Sequence, residues 1–165
     1  MCANTRDHLP EGYVIATNVN IPRGGGEFYE CDAVLSAPGI CDILEIKCIR
    51  PEAVVGEDRI LGTMGFTLDR IFSRLDHKAK VLASRRERRP FPAGAQHRSV
   101  RVHTQVVVPS DTRITFKVPD HARSKPVRNI AETLEKYRVL TGNSDLFRDS
   151  TAQSESRNGW GRLQQ

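Results

Sequence analysis

The chain has 165 residues, 38% of them apolar and 27% charged, which suits one soluble domain with tails and leaves no room for a second full domain. No apolar run approaches the length of a bilayer span, and Met1 to Asp7 lack the apolar stretch of a secretory signal, so a cytoplasmic location is expected. The net charge of +5 is unevenly spread: residues 1–69 hold five basic and eleven acidic side chains and residues 70–103 ten and two, a pattern of either a solvated charged helix or a surface for polyanions.

In chain order, residues 13–21 form a β-rich run that Pro22 is expected to end, followed by a flexible Arg23-Gly24-Gly25-Gly26 loop. These glycines do not make a phosphate loop, because G-x-x-x-x-G-K-[ST] is absent and no helix follows. Residues 27–35 and 40–48 read as the arms of a β-hairpin around Ser36-Ala37-Pro38-Gly39. A loop region with Gly56, Gly62 and Gly65 is expected after Pro51. Residues 68–89 predict a helix, with Leu68, Ile71, Phe72, Leu75, Ala79, Leu82 and Ala83 at helical spacing. Asp69 in its first turn and Arg85, Arg86, Arg88 and Arg89 at its end suit the helix dipole, and Pro90 and Pro92 stop it. Strands are expected over 98–108 and 114–118 and a second helix over 127–140, before a polar tail from Thr141 that holds the single Trp160. That order implies an α/β or α+β class with one mixed sheet.

The charges inside the hairpin arms are the main chemical signal, because a carboxylate within an apolar strand is costly to bury. With Ser36 to Gly39 as a four-residue loop, Glu45 falls opposite Glu30 and diagonal to Asp32 on one side of the sheet, with Lys47 on the same face. Carboxylates gathered without compensating partners repel one another, and a divalent cation removes that conflict. Oxygen ligands favour Mg²⁺ or Mn²⁺, which polarise phosphoryl oxygens and activate water; Lys47 would orient that water or stabilise charge growing on the phosphate. The bland alternative is a set of salt bridges on a solvated sheet face.

Other chemistries fit less well. Cys2, Cys31, Cys41 and Cys48 form no C-x-x-C pair, which leaves small buried residues and one loose terminal thiol rather than a zinc site. His8, His77, His97, His103 and His121 are scattered, and no serine or cysteine sits in an elbow motif beside one of them.

The residues Leu9-Pro10, Asn18-Val19-Asn20-Ile21-Pro22, Gly26, Glu30-Cys31-Asp32-Ala33-Val34-Leu35, Pro38-Gly39-Ile40 and Leu44-Glu45-Ile46-Lys47 together resemble the nuclease-related domain (NERD) family of the PD-(D/E)xK nuclease superfamily. The family hairpin reads E-apolar-D, then a glycine turn, then E-x-K. Lys78-Ala79-Lys80-Val81-Leu82 and the strand 102–108 ending in Pro109 are also similar, so the resemblance covers residues 8–118, with 119–140 as a C-terminal helical extension and 141–165 as a disordered tail.

The resemblance implies an α/β fold with a restriction-endonuclease-like core, a mixed β-sheet flanked by helices. It implies Asp32, Glu45 and Lys47 as catalytic residues, and Asp32, Glu45 and the Ile46 carbonyl as ligands of Mg²⁺ or Mn²⁺. Glu30 matches the family's acidic position before the aspartate. Nucleic acid, DNA in the first instance, is the implied partner, with Arg74, Lys78, Lys80 and Arg85 of the basic helix as its contacts. The activity implied is metal-dependent hydrolysis of phosphodiester bonds. The alternative is a non-catalytic nucleic-acid-binding or regulatory module cut from a larger kinase or helicase protein, and either a homodimer or a missing C-terminal partner domain fits. Two features depart from the family pattern. About twelve residues precede the first strand, so the family's first helix is expected to be missing, and Arg74 stands where the helix often carries Gln.

Overall fold

The structure, a computed structural model, describes residues 13–37, 40–87 and 101–142. The missing first helix, the Pro38-Gly39 turn, the expected start of a strand at 98, the helix end at Arg88 and Arg89, and the tail from Asn143 all lie outside these residues.

The protein is mixed α/β with two mixed sheets. Strands β1 (Val14–Gly24), β2 (Glu27–Ala37) and β3 (Ile40–Ile46) form an antiparallel meander. Strand β7 (Arg101–Val108) adds to β3 in parallel and β9 (Val127–Asn129) to β7 in parallel, giving the order β1-β2-β3-β7-β9. The second sheet has the order β6-β5-β4-β8, built from β4 (Glu52–Val55), β5 (Arg59–Gly62), β6 (Thr67–Asp69) and β8 (Arg113–Phe116). The helices are α1 (Ile71–Glu87), α2 (Pro119–Ser124) and α3 (Ile130–Gly142).

Neighbouring residues on a strand face opposite ways, so Ile43 and Leu44 divide the core in two. Ile43, Val106 and Val108 pack with Ile71, Leu75 and Ala79 of α1 and with Ala53, Val55 and Ile60 of the second sheet. On the other face Leu35, Leu44 and Val107 pack with Tyr137 of α3. The five-stranded sheet is therefore covered on both sides, and no helix among the described residues is long and apolar enough to cross a membrane.

Several expectations need correction. The region 52–67, expected as loop, carries two strands of the second sheet and the start of a third, so there are two sheets rather than one. Strand β1 runs through Pro22 to Gly24, which an edge strand tolerates because it has no outer ladder to donate to. The flexible Gly loop is instead a tight hairpin turn with Gly25 at φ 62° and Gly26 at φ 82°, values that glycine reaches without strain. Helix α1 starts at Ile71; Leu68 and Asp69 belong to β6. The carboxylate at the start of the helix is Asp58, which accepts from the Ser73 amide at 2.9 Å and from the Ser73 hydroxyl. Residues 127–129 are strand β9, and the second long helix begins only at Ile130.

One irregularity positions the site. Strands β1 and β2 pair on both sides of Asn18 and Asp32 but not at them, and Asn18 has φ 53°. Ile15 and Ala33 lie in the α3-side core, while Ile21 and Cys31, of the same parity, lie in the α1-side core. The strand pair thus rolls over at this point, with an asparagine at the left-handed position that its side chain tolerates. Asp32 sits on the roll.

Candidate active site

Strand pairing sets the first two residues. The β2–β3 ladder closes at Ala37↔Ile40 and runs to Ala33↔Leu44, and Asp32 and Glu45 follow just beyond its last pair. The expected register was shorter by two residues, because the connection is Pro38-Gly39 alone and not four residues. A shift of two keeps every side chain on its face, so the site survives while its pairing changes. Glu30 does not face Glu45; it pairs with Asn20 on β1 and is exposed.

Asp32 is fixed by the Ile46 amide, which donates to its Oδ2 at 2.7 Å. In an extended strand the N–H and C=O of one residue leave the same edge, so the Ile46 carbonyl also lies on the β2 side. Lys47 follows at the end of β3, tied to β7 by its own amide donating to the Val107 carbonyl at 2.9 Å. Its Nζ lies 2.8 Å from Glu45 Oε1 and 3.5 Å from Asp32 Oδ2, bridging the two carboxylates. Burial pulls the Lys47 ammonium down, but the hydrogen bond and charge of Glu45, then Asp32, outweigh it and raise its pKa. Lys47 is thereby held protonated, as a fixed positive charge rather than a base.

The fourth member comes from α1. Lys78 Nζ lies 2.9 Å from Glu45 Oε2 and donates to the Glu30 carbonyl at 2.6 Å. Glu45 and Lys78 side chains are each 13% exposed, whereas Asp32 at 40% opens onto a cleft of about 760 Å³. Asn20, Arg23 and Tyr29 of the first hairpin line the same cleft, and the Arg23 guanidinium sits 5.2 Å from the Tyr29 ring centroid.

This changes the argument for a cation. The carboxylates are not uncompensated: two ammonium groups balance Asp32 and Glu45. Among the described residues no group of three or more His, Cys, Asp or Glu is arranged to hold a metal ion. The donor set does fit a hard ion in kind, with two carboxylates and one main-chain carbonyl from adjacent strands. Both oxygens of Glu45, however, are already taken by lysines.

The basic helix divides into two flanks. At about 100° per residue, Arg74 and Arg85 fall within roughly 40° of Lys78, while Lys80 is about 200° away. Arg74 and Arg85 are exposed on the same flank as Lys78; neither lines the cleft, and Arg74 donates to the Asp69 carbonyl. Lys80 lies on the far flank, exposed and paired with Asp76 at 2.6 Å. Lys78 is not a surface cation but a member of the site. Its signal was present in the sequence, for Leu75, Lys78 and Leu82 recur at positions i, i+3 and i+7 of the apolar stripe.

A second polar cluster went unnoticed. Asp42, in the apolar run Ile40-Cys41-Asp42-Ile43-Leu44, is 1% exposed and accepts at Oδ2 from Lys136 Nζ and Tyr137 Oη, both at 2.7 Å. Its intrastrand neighbours were the clue, since a carboxylate there costs as much as Glu45 does. Cys31 and Cys41 are buried as expected, but Cys48, expected to be buried with them, is exposed beyond the end of β3. Burial first, then Glu45 and Asp32, push the Cys31 thiol up against the opposing pull of Lys78, so it stays protonated.

No family model, curated protein or solved structure matches the chain.

Proposed function

We propose that this chain is a Mg²⁺- or Mn²⁺-dependent nuclease domain that hydrolyses phosphodiester bonds of DNA, with a NERD-like version of the PD-(D/E)xK core. The observation that carries the reading is the Lys47 ammonium bridging Asp32 and Glu45 at the mouth of an open cleft. A mixed sheet that bears this hairpin, with helices on both faces, supports it.

Asp32, Glu45 and the Ile46 carbonyl would hold the ion, and the Ile46 amide holds Asp32 Oδ2 in place beside the cleft. When bound, such an ion supplies a polarised phosphoryl oxygen and a nucleophilic water. Lys47, protonated across the working pH range, stabilises negative charge that grows on the phosphate. Arg74 and Arg85 would hold the phosphate backbone along the helix flank that reaches the site. A cytoplasmic location and either a homodimer or a C-terminal partner domain belong to the same reading.

A second reading has its own observation: the Asp32–Glu45–Lys47–Lys78 cluster is charge-balanced without an ion, as a non-catalytic DNA-binding or regulatory module of a kinase or helicase protein would allow. Titration of cleavage with Mg²⁺ and Mn²⁺ on plasmid and single-stranded DNA separates the two. Cutting that needs metal and is lost in Lys47→Ala and Asp32→Asn is the expected result. DNA binding without cutting under either metal would sink the nuclease and leave the module.

A further inference from the structure

Lys78 occupies an unusual place for a helix lysine. Its side chain is 13% exposed, its ammonium lies 2.9 Å from Glu45 Oε2, and its other partner is the neutral Glu30 carbonyl. Lys47 covers the remaining Glu45 oxygen and reaches Asp32 Oδ2 at 3.5 Å. A hard ion seeks carboxylate oxygens at about 2.0–2.1 Å, and an ammonium paired with each Glu45 oxygen opposes it by like charge. Loading the site is therefore favoured when a lysine leaves Glu45. Lys78 is the one whose departure leaves the Asp32–Lys47 contact intact, and it leaves toward a flank with Arg74 and Arg85 on it.

We infer that Lys78 competes with the divalent cation for Glu45, and that a phosphate backbone in the cleft draws Lys78 away and so raises metal affinity. This rests on the nuclease reading of the site and adds its regulation: metal and substrate load together rather than one before the other. Free enzyme holds Glu45 with its own ammonium, so metal binds weakly. A polyanion offers Lys78 a second anionic partner, which costs the protein less than leaving the charge unpaired. Linkage makes the coupling reciprocal, so metal raises affinity for the backbone by the same factor as the backbone raises affinity for metal.

The test measures Mn²⁺ binding to the full chain by calorimetry or by the loss of free-ion EPR signal, with and without a short phosphorothioate DNA that resists cleavage. Asp32→Asn with the same DNA corrects for Mn²⁺ held by the DNA itself. In the wild type, saturating DNA should tighten Mn²⁺ binding by about fivefold or more, the lower range of measured couplings. In Lys78→Met, Mn²⁺ alone should bind at least that much tighter than to the wild type, and DNA should no longer change it. Lys78→Arg, which restores the positive charge, should return the weak binding, and Lys78→Gln stands in if the methionine variant does not melt cooperatively. Unchanged or weakened Mn²⁺ affinity in Lys78→Met overturns the inference, as does DNA coupling that persists there. Metal-dependent cutting with unmoved Mn²⁺ affinity defeats this inference alone. Tightened Mn²⁺ binding with no cutting supports it while defeating the nuclease, and no Mn²⁺ binding to either protein defeats both.

Discussion

Strand β3 sends two carboxylates to opposite faces of one sheet, Asp42 and Glu45, and each meets a lysine from the helix on that face. The Asp42 carboxylate is sealed, at 1% exposure, although the Lys136 side chain that pairs with it is 27% exposed. Lys136 and Tyr137 of α3 both donate to Asp42 Oδ2, Gln105 lies beside them at 2% exposure, and Asp42 Oδ1 and Gln105 Nε2 have no hydrogen-bond partner. The Glu45 cluster opens on a cleft and sets two carboxylates against two ammonium groups. Both clusters satisfy the rule that a charge inside a fold needs a partner. Only the Glu45 cluster borders a cleft with carboxylates of its own on the lining. The sealed one has nowhere to send its charge, so it acts as a bolt between α3 and the sheet.

The largest expected effect tests the bolt. Asp42→Ala leaves the Lys136 ammonium and the Tyr137 hydroxyl without their shared acceptor, and loss of one partner from a buried pair costs about 3–5 kcal/mol. Denaturant midpoints should show that loss, while Mn²⁺ and DNA binding of the folded fraction stay as in the wild type. Glu45→Gln should reverse the pattern, with a stability change under half as large and cleavage down on the order of 10²-fold or more. If Asp42→Ala alters DNA binding in folded protein, the two faces are coupled and the contrast fails.

Next in size is Asn18, where the strand pair rolls from one core to the other. A β-carbon other than asparagine's is strained at φ 53°, so Asn18→Ala should cost about 1–2 kcal/mol, and Asn18→Gly should cost nothing or stabilise. Because Asp32 lies opposite the roll, Asn18→Ala should also reduce cleavage, whereas Asn18→Gly should not. Equal stability of the two variants would show that the roll owes nothing to this residue.

How legible these features were depended on length and locality. The hairpin arms and α1 could be read because each carries a long apolar pattern, and the nearness of Asp32, Glu45 and Lys47 on one face followed from it. The register itself was hidden in Pro38-Gly39, since turn length decides it and the apolar pattern is blind to a shift of two. The second sheet escaped because β4, β5 and β6 have only three or four residues each, too few for alternation to show between Gly56, Gly62 and Gly65. Lys78 was read as surface charge because its partners lie 33 and 48 residues away. Only a lysine on an apolar stripe hinted at them.

Both clusters also bear on alkaline stability. The pKa of Lys47 is raised by Glu45 and Asp32 against its burial, and that of Tyr137 by burial first and then by Asp42. In each case the folded chain holds its proton more tightly than the unfolded chain. The stabilisation is then complete below about pH 10, near the ordinary values of tyrosine and lysine, and is lost as pH rises beyond them. Lys47→Met and Tyr137→Phe should each flatten the alkaline limb of a stability–pH curve, the first from the open face and the second from the sealed one. A limb equally steep in both variants would place its origin elsewhere.

The smallest effects lie on α1. Arg74 and Arg85 share the flank of Lys78, and Lys80 does not, so the helix itself offers a comparison at constant charge. Removal of one phosphate contact should lower affinity a few-fold and reduce the slope of log affinity against log salt by about 1. Arg74→Gln and Arg85→Gln should each do so on DNA of any sequence. Lys80→Gln removes the same formal charge from the opposite flank, where Asp76 already pairs with it, and should leave the slope unchanged. Should all three weaken binding alike, the DNA is held by the net charge of the helix and not by the flank that leads to Glu45. The open cluster would then lose its claim to be the place where the backbone arrives.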